Sequence, residues 1–448
     1  MFNIGKGASG DVVLSSESHL LIVGPPRCGK TRSIVIPNLK MLDVATVVTS
    51  TKEDIIGDTI ASRSKKGRVF IFDPMESVRD LKGASRLYFS PLSAIETFDD
   101  AMMMAHAMFG AALTGSRGGN VSFWEERAEA LISSVLLAAK VAPEPFDMGF
   151  VMETIEGRDF DGALSLLKAS GESEAFRTLS SVSLAAPKEQ SGIASSASSI
   201  LSAYRSPSVL RQERQANFDP KDFVRSNDTI YIIAPAAQQQ VVAPLVLGLL
   251  HAVKGASYSL ARDRAVAERS FIPKPNVALL LDEMANIAPI RDLSSILSEG
   301  ASQGVLVMGV LQDLSQARHR WGSESDGFMT LFGNVAIFPG IADSHTLRDL
   351  SLLGGEELVT LRSRSSRRSL LAPPSYTVTE HFHPRITPSD IFSTPRGEVL
   401  LFSGRDGFSK VIQSDVEERG KPPIAIHEGG VGAPNLRRSW FNRPSLGR

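Results

Sequence analysis

The architecture of this chain is set by one run, Leu20-Leu-Ile-Val-Gly-Pro-Pro-Arg-Cys-Gly-Lys-Thr31. Its first four residues are wholly apolar, as in a strand covered on both faces, and the next eight match the pattern G-x-x-x-x-G-K-[ST]. Glycines in this pattern let backbone N–H groups close around a phosphate at the start of a helix. The run therefore predicts a strand, a phosphate-binding loop and a helix, which Pro37 is expected to end or kink after about two turns.

Particular side chains of this loop have distinct expected roles. Lys30 is expected to meet the β- and γ-phosphate oxygens of ATP, and Thr31 to offer its hydroxyl to Mg²⁺. The residues predicted to surround the nucleotide are Gly24, Pro25, Pro26, Arg27, Cys28, Gly29, Lys30, Thr31 and Arg32.

A second apolar run, Val277–Leu281, delivers Asp282 and Glu283 at its carboxyl end. In open α/β sheets this edge binds ligands, so Asp282 is expected to hold Mg²⁺ and Glu283 to take a proton from the attacking water. Two acids after a strand often only cap a helix, and the phosphate loop is what strengthens the functional interpretation. Gln312 follows the apolar run Val305–Leu311 and is the candidate sensor of the γ-phosphate. The sequence has no Asn-Lys-x-Asp element, which argues against a G protein.

Eight short apolar runs alternate with helical stretches, which predicts an α/β fold with a mostly parallel, doubly wound sheet. The predicted strands are Leu20–Val23, Thr46–Thr49, Val69–Phe72, Thr229–Ile233, Val277–Leu281, Val305–Leu311, Val335–Phe338 and Val399–Phe402.

The β signal disappears for more than a hundred residues after the third run, which predicts an inserted all-α domain. We predict four parts: a nucleotide-binding part at 1–96, the insertion at 97–220, a second nucleotide-binding part at 221–412 and a basic tail at 413–448. Helices are predicted at Asp99–Leu113, Ser122–Lys140, Gly162–Ala169 and Ser195–Tyr204, and core positions at Met102, Met103, Met104 and Met108.

Composition and charge limit the binding sites, the compartment and the membrane segments that are expected of this chain. The 448 residues carry 48 Lys and Arg against 49 Asp and Glu, so any nucleic-acid site must be a local patch. One cysteine, Cys28, indicates a reducing, cytoplasmic compartment. The apolar run from Val241 to Val253 is expected to be too short to span a bilayer.

Two arginine clusters are expected in loops or disordered segments, as solvated surface or as contacts to DNA phosphates: Arg362, Arg364, Arg367 and Arg368, and Arg437, Arg438, Arg443 and Arg448.

The order of several short motifs resembles the TraG/TraD family of type IV secretion coupling proteins. These motifs are the phosphate loop, Ile36-Pro-Asn-Leu39, Thr51-Lys-Glu-Asp54, Phe72-Asp-Pro74, Phe123-Trp124, Leu281-Asp-Glu-Met-Ala285, Gln312-Asp-Leu-Ser-Gln316, Asn334 and the stretch from Asp343 to Gly354.

The resemblance implies a RecA-like ATPase that uses ATP and Mg²⁺, forms a hexamer and moves single-stranded DNA or a relaxase–DNA complex. It also implies inner-membrane channel proteins as partners, at the inner face of the cell membrane. Family members usually carry N-terminal membrane helices, and none is expected upstream of Gly24. A second departure is Ser50-Thr-Lys-Glu-Asp54, where many relatives place Asp-x-Lys-Gly-Glu.

Three alternatives stay open at this level. One is a DNA pump of the FtsK/HerA kind, one is a nucleotide-switched receptor that docks protein effectors with little turnover, and one is a metabolic P-loop kinase. A ring motor also needs an arginine that reaches a neighbouring subunit's γ-phosphate, for which Arg318, Arg320 and Arg348 are candidates with an equally plausible role in salt bridges.

Overall fold

A computed structural model of the chain describes residues 1–7, 10–15, 17–112, 119–144, 146–268, 274–365, 375–404 and 407–413. The strands are β1 (Asn3–Gly7), β2 (Gly10–Val13), β3 (Leu20–Val23), β4 (Ala45–Ser50), β5 (Val69–Phe72), β6 (Ser85–Arg86), β7 (Thr229–Ile233), β8 (Val277–Leu281), β9 (Val305–Leu311), β10 (Asn334–Ile337), β11 (Glu356–Ser365), β12 (Ser375–Pro384), β13 (Glu398–Ser403) and β14 (Gly407–Ile412).

The helices are α1 (Ile36–Met41), α2 (Asp54–Arg63), α3 (Phe98–Met108), α4 (Gly119–Lys140), α5 (Met148–Gly157), α6 (Asp161–Ser170), α7 (Ser173–Ser183), α8 (Pro187–Ile200), α9 (Pro207–Glu213), α10 (Pro220–Phe223), α11 (Gln239–Glu268), α12 (Met284–Ile287), α13 (Leu293–Glu299), α14 (Leu314–Trp321), α15 (Phe328–Phe332), α16 (Ser344–Leu353) and α17 (Pro388–Phe392).

One large sheet organises the chain, in the order β2-β1-β14-β13-β10-β3-β9-β8-β4-β7-β5-β6. Neighbours from β10 to β6 pair in parallel, which confirms the predicted fold class. Alternate residues of β3 face opposite sides: Leu21 and Val23 join the core beneath the helical insertion and α11, and Leu20 and Ile22 join the core beneath α1 and α2. Burial on both faces explains why these strands are apolar throughout.

The prediction of a parallel strand at Val399–Phe402 was wrong in direction. These residues lie in β13, which pairs antiparallel with β10 and continues through a hairpin into β14. An apolar run does not encode direction, and a short turn can join only antiparallel strands. Strands β1, β2, β6 and β14 of this sheet were missed, as were β11 and β12; β1, for example, is Asn-Ile-Gly-Lys-Gly and has little β-branched character.

The expected loop at Arg362 and Arg364 was also wrong. Both residues lie in β11, which pairs with β12 along ten residue pairs as a separate two-stranded sheet. A cross-strand ladder supplies the backbone hydrogen bonds that a charge-based interpretation did not anticipate. The other arginines of the two clusters lie outside the described residues, as does the tail from 414 to 448.

Between Arg86 and Thr229 the regular elements of the described residues are all helices, and most of these helices contact α4. The four predicted helices correspond to α3, α4, α6 and α8, with bounds shifted by several residues; α8 begins at Pro187. Helices α5, α7, α9 and α10 were not predicted. Of the four methionines, Met104 and Met108 are buried, but Met102 and Met103 are 49% and 44% exposed, because a helix turns those two away from the face that packs on α4.

Two helices depart from the expectations for their length. The helix after the phosphate loop continues past Pro37 to Met41, because a π-helical turn at Thr31–Val35 precedes the proline and places it at the start of α1. The apolar run near Val241 belongs to α11, the one described helix that is long and apolar enough to cross a membrane. Within α11, 72% of the apolar window is buried inside the protein.

The side chain of Asn38 joins the N-terminal strand to the phosphate-binding helix. Its Oδ1 accepts from the backbone N–H of Asn3 at 2.7 Å, and its Nδ2 donates to the backbone carbonyl of Asn3 at 2.7 Å. Nδ2 also donates to the carbonyl of Ile34 at 2.8 Å. This buried amide therefore bonds to Asn3 in both directions, as a neighbouring strand would.

Arg63, at the end of α2, is fully buried and holds several elements of the nucleotide-binding part together. It donates to Thr229 Oγ1 at 2.7 Å, to the carbonyl of Asn227 at 3.0 Å and to the carbonyl of Val44 at 3.2 Å. Further bonds reach the carbonyls of Leu39 and Leu42 at the end of α1. Burial lowers the pKa of this guanidinium, and its delocalised charge is distributed over carbonyl dipoles.

We expect the substitution Arg63→Met to destabilise the nucleotide-binding part by about 3 kcal/mol or more, because buried carbonyls lose their donors. Urea unfolding followed by intrinsic fluorescence measures the change. As the control, Arg177→Met removes a 68%-exposed arginine that pairs with Glu174, which is 70% exposed, and it should stay within about 1 kcal/mol of the parent. Equal stability of the two variants would contradict the role assigned to Arg63.

Candidate nucleotide site

The phosphate loop lies between β3 and the helix that starts at Thr31. A Cβ atom on Gly24 would lie 2.5 Å from Cβ of Phe338, a buried residue just beyond β10, so only glycine fits there. Gly29 has φ +103°, a conformation that also favours glycine. Arg27 adopts φ +62° without that freedom, as happens where a binding loop is held in a set shape.

Lys30 points its ammonium group back across the loop. Its Nζ donates to the carbonyl of Pro25 at 2.9 Å and to the carbonyl of Gly24. The charge thus lies at the concave side of the loop, where phosphate oxygens could replace these carbonyls. Of the other predicted contacts, Pro25 and Cys28 are half-buried, and Pro26, Arg27 and Arg32 are exposed.

The structure brings Thr31 and Asp282 together. Thr31 Oγ1 donates to Asp282 Oδ2 at 3.1 Å, although the two residues are roughly 250 positions apart in the sequence. Burial raises the pKa of Asp282, and the like charge of Glu283 adds to this, whereas Thr31 and Lys30 oppose it. A buried carboxylate whose charge is disfavoured is well suited to bind a cation.

Glu283 is the first residue beyond that aspartate and has a left-handed backbone, with φ +54°. Gln312 Nε2 donates to Glu283 Oε1 at 3.2 Å, and Asn286 Nδ2 donates to Glu283 Oε2 at 3.2 Å. The backbone N–H of Gln312 donates to Gln316 Oε1 at 2.9 Å, which orients the end of β9. The structure therefore brings four predicted side chains, those of Thr31, Asp282, Glu283 and Gln312, into one site.

Two residues of this site were missed by sequence reasoning. Thr49 Oγ1 donates to the carbonyl of Asp282 at 2.6 Å and fixes the end of β8 against β4. Asn286 holds the second oxygen of Glu283. A polar residue at the end of a buried strand was a usable signal for Thr49, whereas the contact of Asn286 depends on the left-handed turn at Glu283.

The three arginines considered for a neighbouring subunit differ in their surroundings. Arg318 donates to Asp343 Oδ2 at 3.0 Å and to Asp349 Oδ2 at 3.2 Å, which is the salt-bridge role. Arg348 is exposed and, within the part of the chain that the structure describes, bonds only inside α16, to the carbonyl of Ser344 at 3.1 Å and to its hydroxyl. Arg320 is half-buried, and burial lowers its pKa. A role in trans stays a prediction for all three.

Comparison with known families agrees with this geometry. The family model "Type IV secretory system Conjugative DNA transfer" matches residues 2–408. The chain belongs to this family. The conjugal transfer protein TraG of Escherichia coli is 23% identical over 439 residues, which are 92% of this chain and 65% of that protein. The protein VirD4 of Rhizobium rhizogenes is 21% identical over 401 residues, which are 87% of this chain and 57% of that protein. The chain thus spans less than two thirds of the length of these relatives.

Solved structures show the same fold. The bacterial conjugative coupling protein TrwBdeltaN70 superposes with a TM-score of 0.68 at 17% identity, covering 91% of this chain and 87% of that one. TrwB in complex with ADP and Mg²⁺ superposes with a TM-score of 0.64 at 17% identity, covering 89% and 85%. The resemblance to the coupling proteins and the predicted fold class are both confirmed.

We expect alkylation of Cys28 to block ATP binding, and ATP to protect the thiol. Cys28 is half-buried inside the loop, so an added alkyl group would occupy the space that the phosphates need. Burial raises the pKa of this thiol, so labelling should accelerate as the pH rises. Labelling with N-ethylmaleimide followed by mass spectrometry and ATP titration measures both effects.

Cys28 is the only cysteine, so Cys28→Ser is a clean control that should ignore the reagent. Alkylated protein that binds ATP with unchanged affinity would remove this loop from the nucleotide site.

Proposed function

We propose that this chain is the motor part of an ATP-hydrolysing coupling protein that delivers DNA, or a relaxase–DNA complex, to a type IV secretion channel. The observation that carries the proposal is the convergence of Thr31 and Asp282, with Glu283 and Gln312 beside them, in a chain that belongs to the conjugative DNA transfer family. A phosphate loop alone would support nucleotide binding, and the added glutamate supports hydrolysis.

ATP and Mg²⁺ fit the residues that are present. Thr31 and Asp282 supply two oxygen ligands, the kind Mg²⁺ prefers, and Mg²⁺ commonly completes its octahedron with phosphate oxygens and water. The described residues contain no group of three or more His, Cys, Asp or Glu that could cage a metal alone. When bound, Mg²⁺ would neutralise charge between the β- and γ-phosphates. TrwB has been solved with ADP and Mg²⁺, which supports the same ligands here.

The side chains divide the chemistry between them. Lys30 would exchange its bonds to loop carbonyls for bonds to phosphate oxygens, which are charge-assisted and stronger. Glu283 would accept the proton of the attacking water, and Gln312, hydrogen-bonded to it, would report the loss of the γ-phosphate to α14. Thr49 fixes the backbone at Asp282 and so the separation of the two carboxylates.

The proposed partners follow from the family and from local charge. We propose single-stranded DNA as cargo, with relaxase or effector proteins, and inner-membrane channel proteins as the docking site at the cytoplasmic face of the membrane. A homo-hexamer is the proposed assembly. Arg362 and Arg364 lie in β11, and we propose this strand as a place of contact with DNA phosphates.

Steady-state ATP hydrolysis with and without single-stranded DNA, combined with a mass measurement of the assembly, tests the proposal. We expect DNA to stimulate hydrolysis and to shift the protein to a larger oligomer. Lys30→Ala should abolish binding and turnover, whereas Glu283→Gln should bind ATP normally and lower kcat by about a hundredfold or more, as loss of a general base does.

The variants also separate the alternatives. Tight ATP binding without turnover under any DNA condition would favour a nucleotide-switched receptor, and stimulation by double-stranded DNA alone would favour a pump of the FtsK/HerA kind. Normal turnover by Glu283→Gln would show that this carboxylate is not the base.

A further inference from the structure

Asn286 occupies the second oxygen of the glutamate that the proposed reaction uses as its base. Because Gln312 holds Oε1 and Asn286 holds Oε2, each at 3.2 Å, both oxygens of Glu283 already accept a hydrogen bond from an amide. A carboxylate oxygen has two lone pairs, so the bond from Asn286 takes up one of the two positions at which Oε2 could accept a proton from water. Asn286 lies in α12, a single helical turn, which the segment 288–292 follows.

The helical domain contacts the segment 288–292 through hydrogen bonds and close backbone packing. His106 of α3 bonds to Asp292 Oδ1 at 3.3 Å through Nε2 and to Glu129 Oε2 of α4 at 3.0 Å through Nδ1. Arg291 also donates to Glu129. A Cβ atom on Gly110, just beyond α3, would lie 2.9 Å from the carbonyl oxygen of Pro289, so the two backbones touch.

Helix α14, which follows Gln312, bonds to the same segment. Trp321, at the end of α14, donates from Nε1 to the carbonyl of Ile290 at 2.7 Å. Helix α14 begins two residues after Gln312. The segment 288–292 is therefore bonded to the helical domain, to the sensor helix and, through α12, to the glutamate.

We infer that Asn286 is a positioning residue that restrains Glu283, and that the segment 288–292 links this restraint to the state of the helical domain. The inference rests on the proposed function of Glu283. A shift of α3 and α4, such as cargo binding to the helical domain would produce, pulls Asp292 and Arg291, moves α12 and withdraws the amide of Asn286. Glu283 Oε2 then becomes free to accept a proton from water.

The link is rigid enough to transmit a displacement. Arg291 and Asp292 are adjacent in the chain and bond to different helices, Asp292 to α3 and Arg291 to α4. The segment therefore cannot rotate away from one of these helices without straining its bond to the other. Between Asp292 and Asn286 the chain is short and Ile287, Ala288 and Leu293 are fully buried, which leaves little slack.

Steady-state ATP hydrolysis of Asn286→Ala tests the restraint. We expect the DNA-free kcat to rise about threefold to tenfold with KM for ATP unchanged, as the loss of one hydrogen bond to the base allows. The DNA-stimulated rate should change little, so the stimulation ratio falls. A DNA-free kcat that is unchanged or lower overturns the restraint.

His106→Gln tests the link without touching the site. It should raise the DNA-free rate in the same direction, and the double variant with Asn286→Ala should not exceed Asn286→Ala alone, because both act on one restraint. Multiplying effects would overturn the link. Gln190→Ala is the matched control: it removes an amide in the helical domain that bonds to the carbonyls of Ser183 and Ala185, and its rates should equal the parent's.

Failure of this inference can be told apart from failure of the proposed function. An inactive Glu283→Gln variant together with an unchanged Asn286→Ala variant rejects the restraint alone. An active Glu283→Gln variant rejects the assignment of the base and the restraint with it.

The contact of His106 should also give a pH signature. The bonds to Asp292 and Glu129 raise its pKa to about 9, against burial and the charge of Arg291; Lys254 and His251 of α11 flank the same segment. Because the folded pKa exceeds the ordinary 6.5, the stabilisation is complete below about pH 6.5 and is lost as the pH rises through about 9. The difference in Tm between the parent and His106→Gln should therefore be large at pH 6 and vanish near pH 10. A constant difference would contradict a protonated His106 in this contact.

Discussion

The hydrogen bond between Thr31 and Asp282 is the contact on which the functional architecture depends. It joins Thr31, at the start of the helix that follows β3, to Asp282, the first residue after β8. Only β9 lies between these two strands in the sheet, so Gln312, the first residue after β9, lies beside them. Parallel strands present their carboxyl ends at one edge, and three chain segments that are distant in sequence therefore supply one site. The contact requires the order of the strands, and hence the whole parallel part of the sheet.

The helical domain enters this sheet where it disturbs the order least. The chain leaves after β6, the last strand at one edge, and returns into β7, two places inward. The strands that carry the site, β3, β8 and β9, lie on the far side of β4 and keep their neighbours. The domain nevertheless packs over one face of the sheet, where α3 contacts α11, and reaches the residues that follow Glu283. The domain is therefore inserted near the edge of the sheet, but its contacts reach the middle of the sheet, next to the site.

Much of the site could be predicted because its residues follow buried strands directly. The phosphate loop, Asp282, Glu283 and Gln312 each end an apolar run, and the parallel fold brings such positions together. Residues that act through tertiary geometry could not be found in this way. Asn286 reaches Glu283 only because of a left-handed turn, and His106 meets Asp292 across two domains. Strand direction failed for the same reason, because the apolar run in β13 has no feature that distinguishes a hairpin from a crossover.

The two hydrogen bonds between the Asn38 side chain and the backbone of Asn3 have a mechanical consequence. A pull on the N-terminal strand is resisted by its pairing with β14 and with β2, and also by this side chain, which belongs to the helix that follows the phosphate loop. Load applied at β1 therefore divides between the sheet and that helix instead of peeling the strand away. Force on β1 would therefore also act on α1, the helix that continues from the phosphate loop.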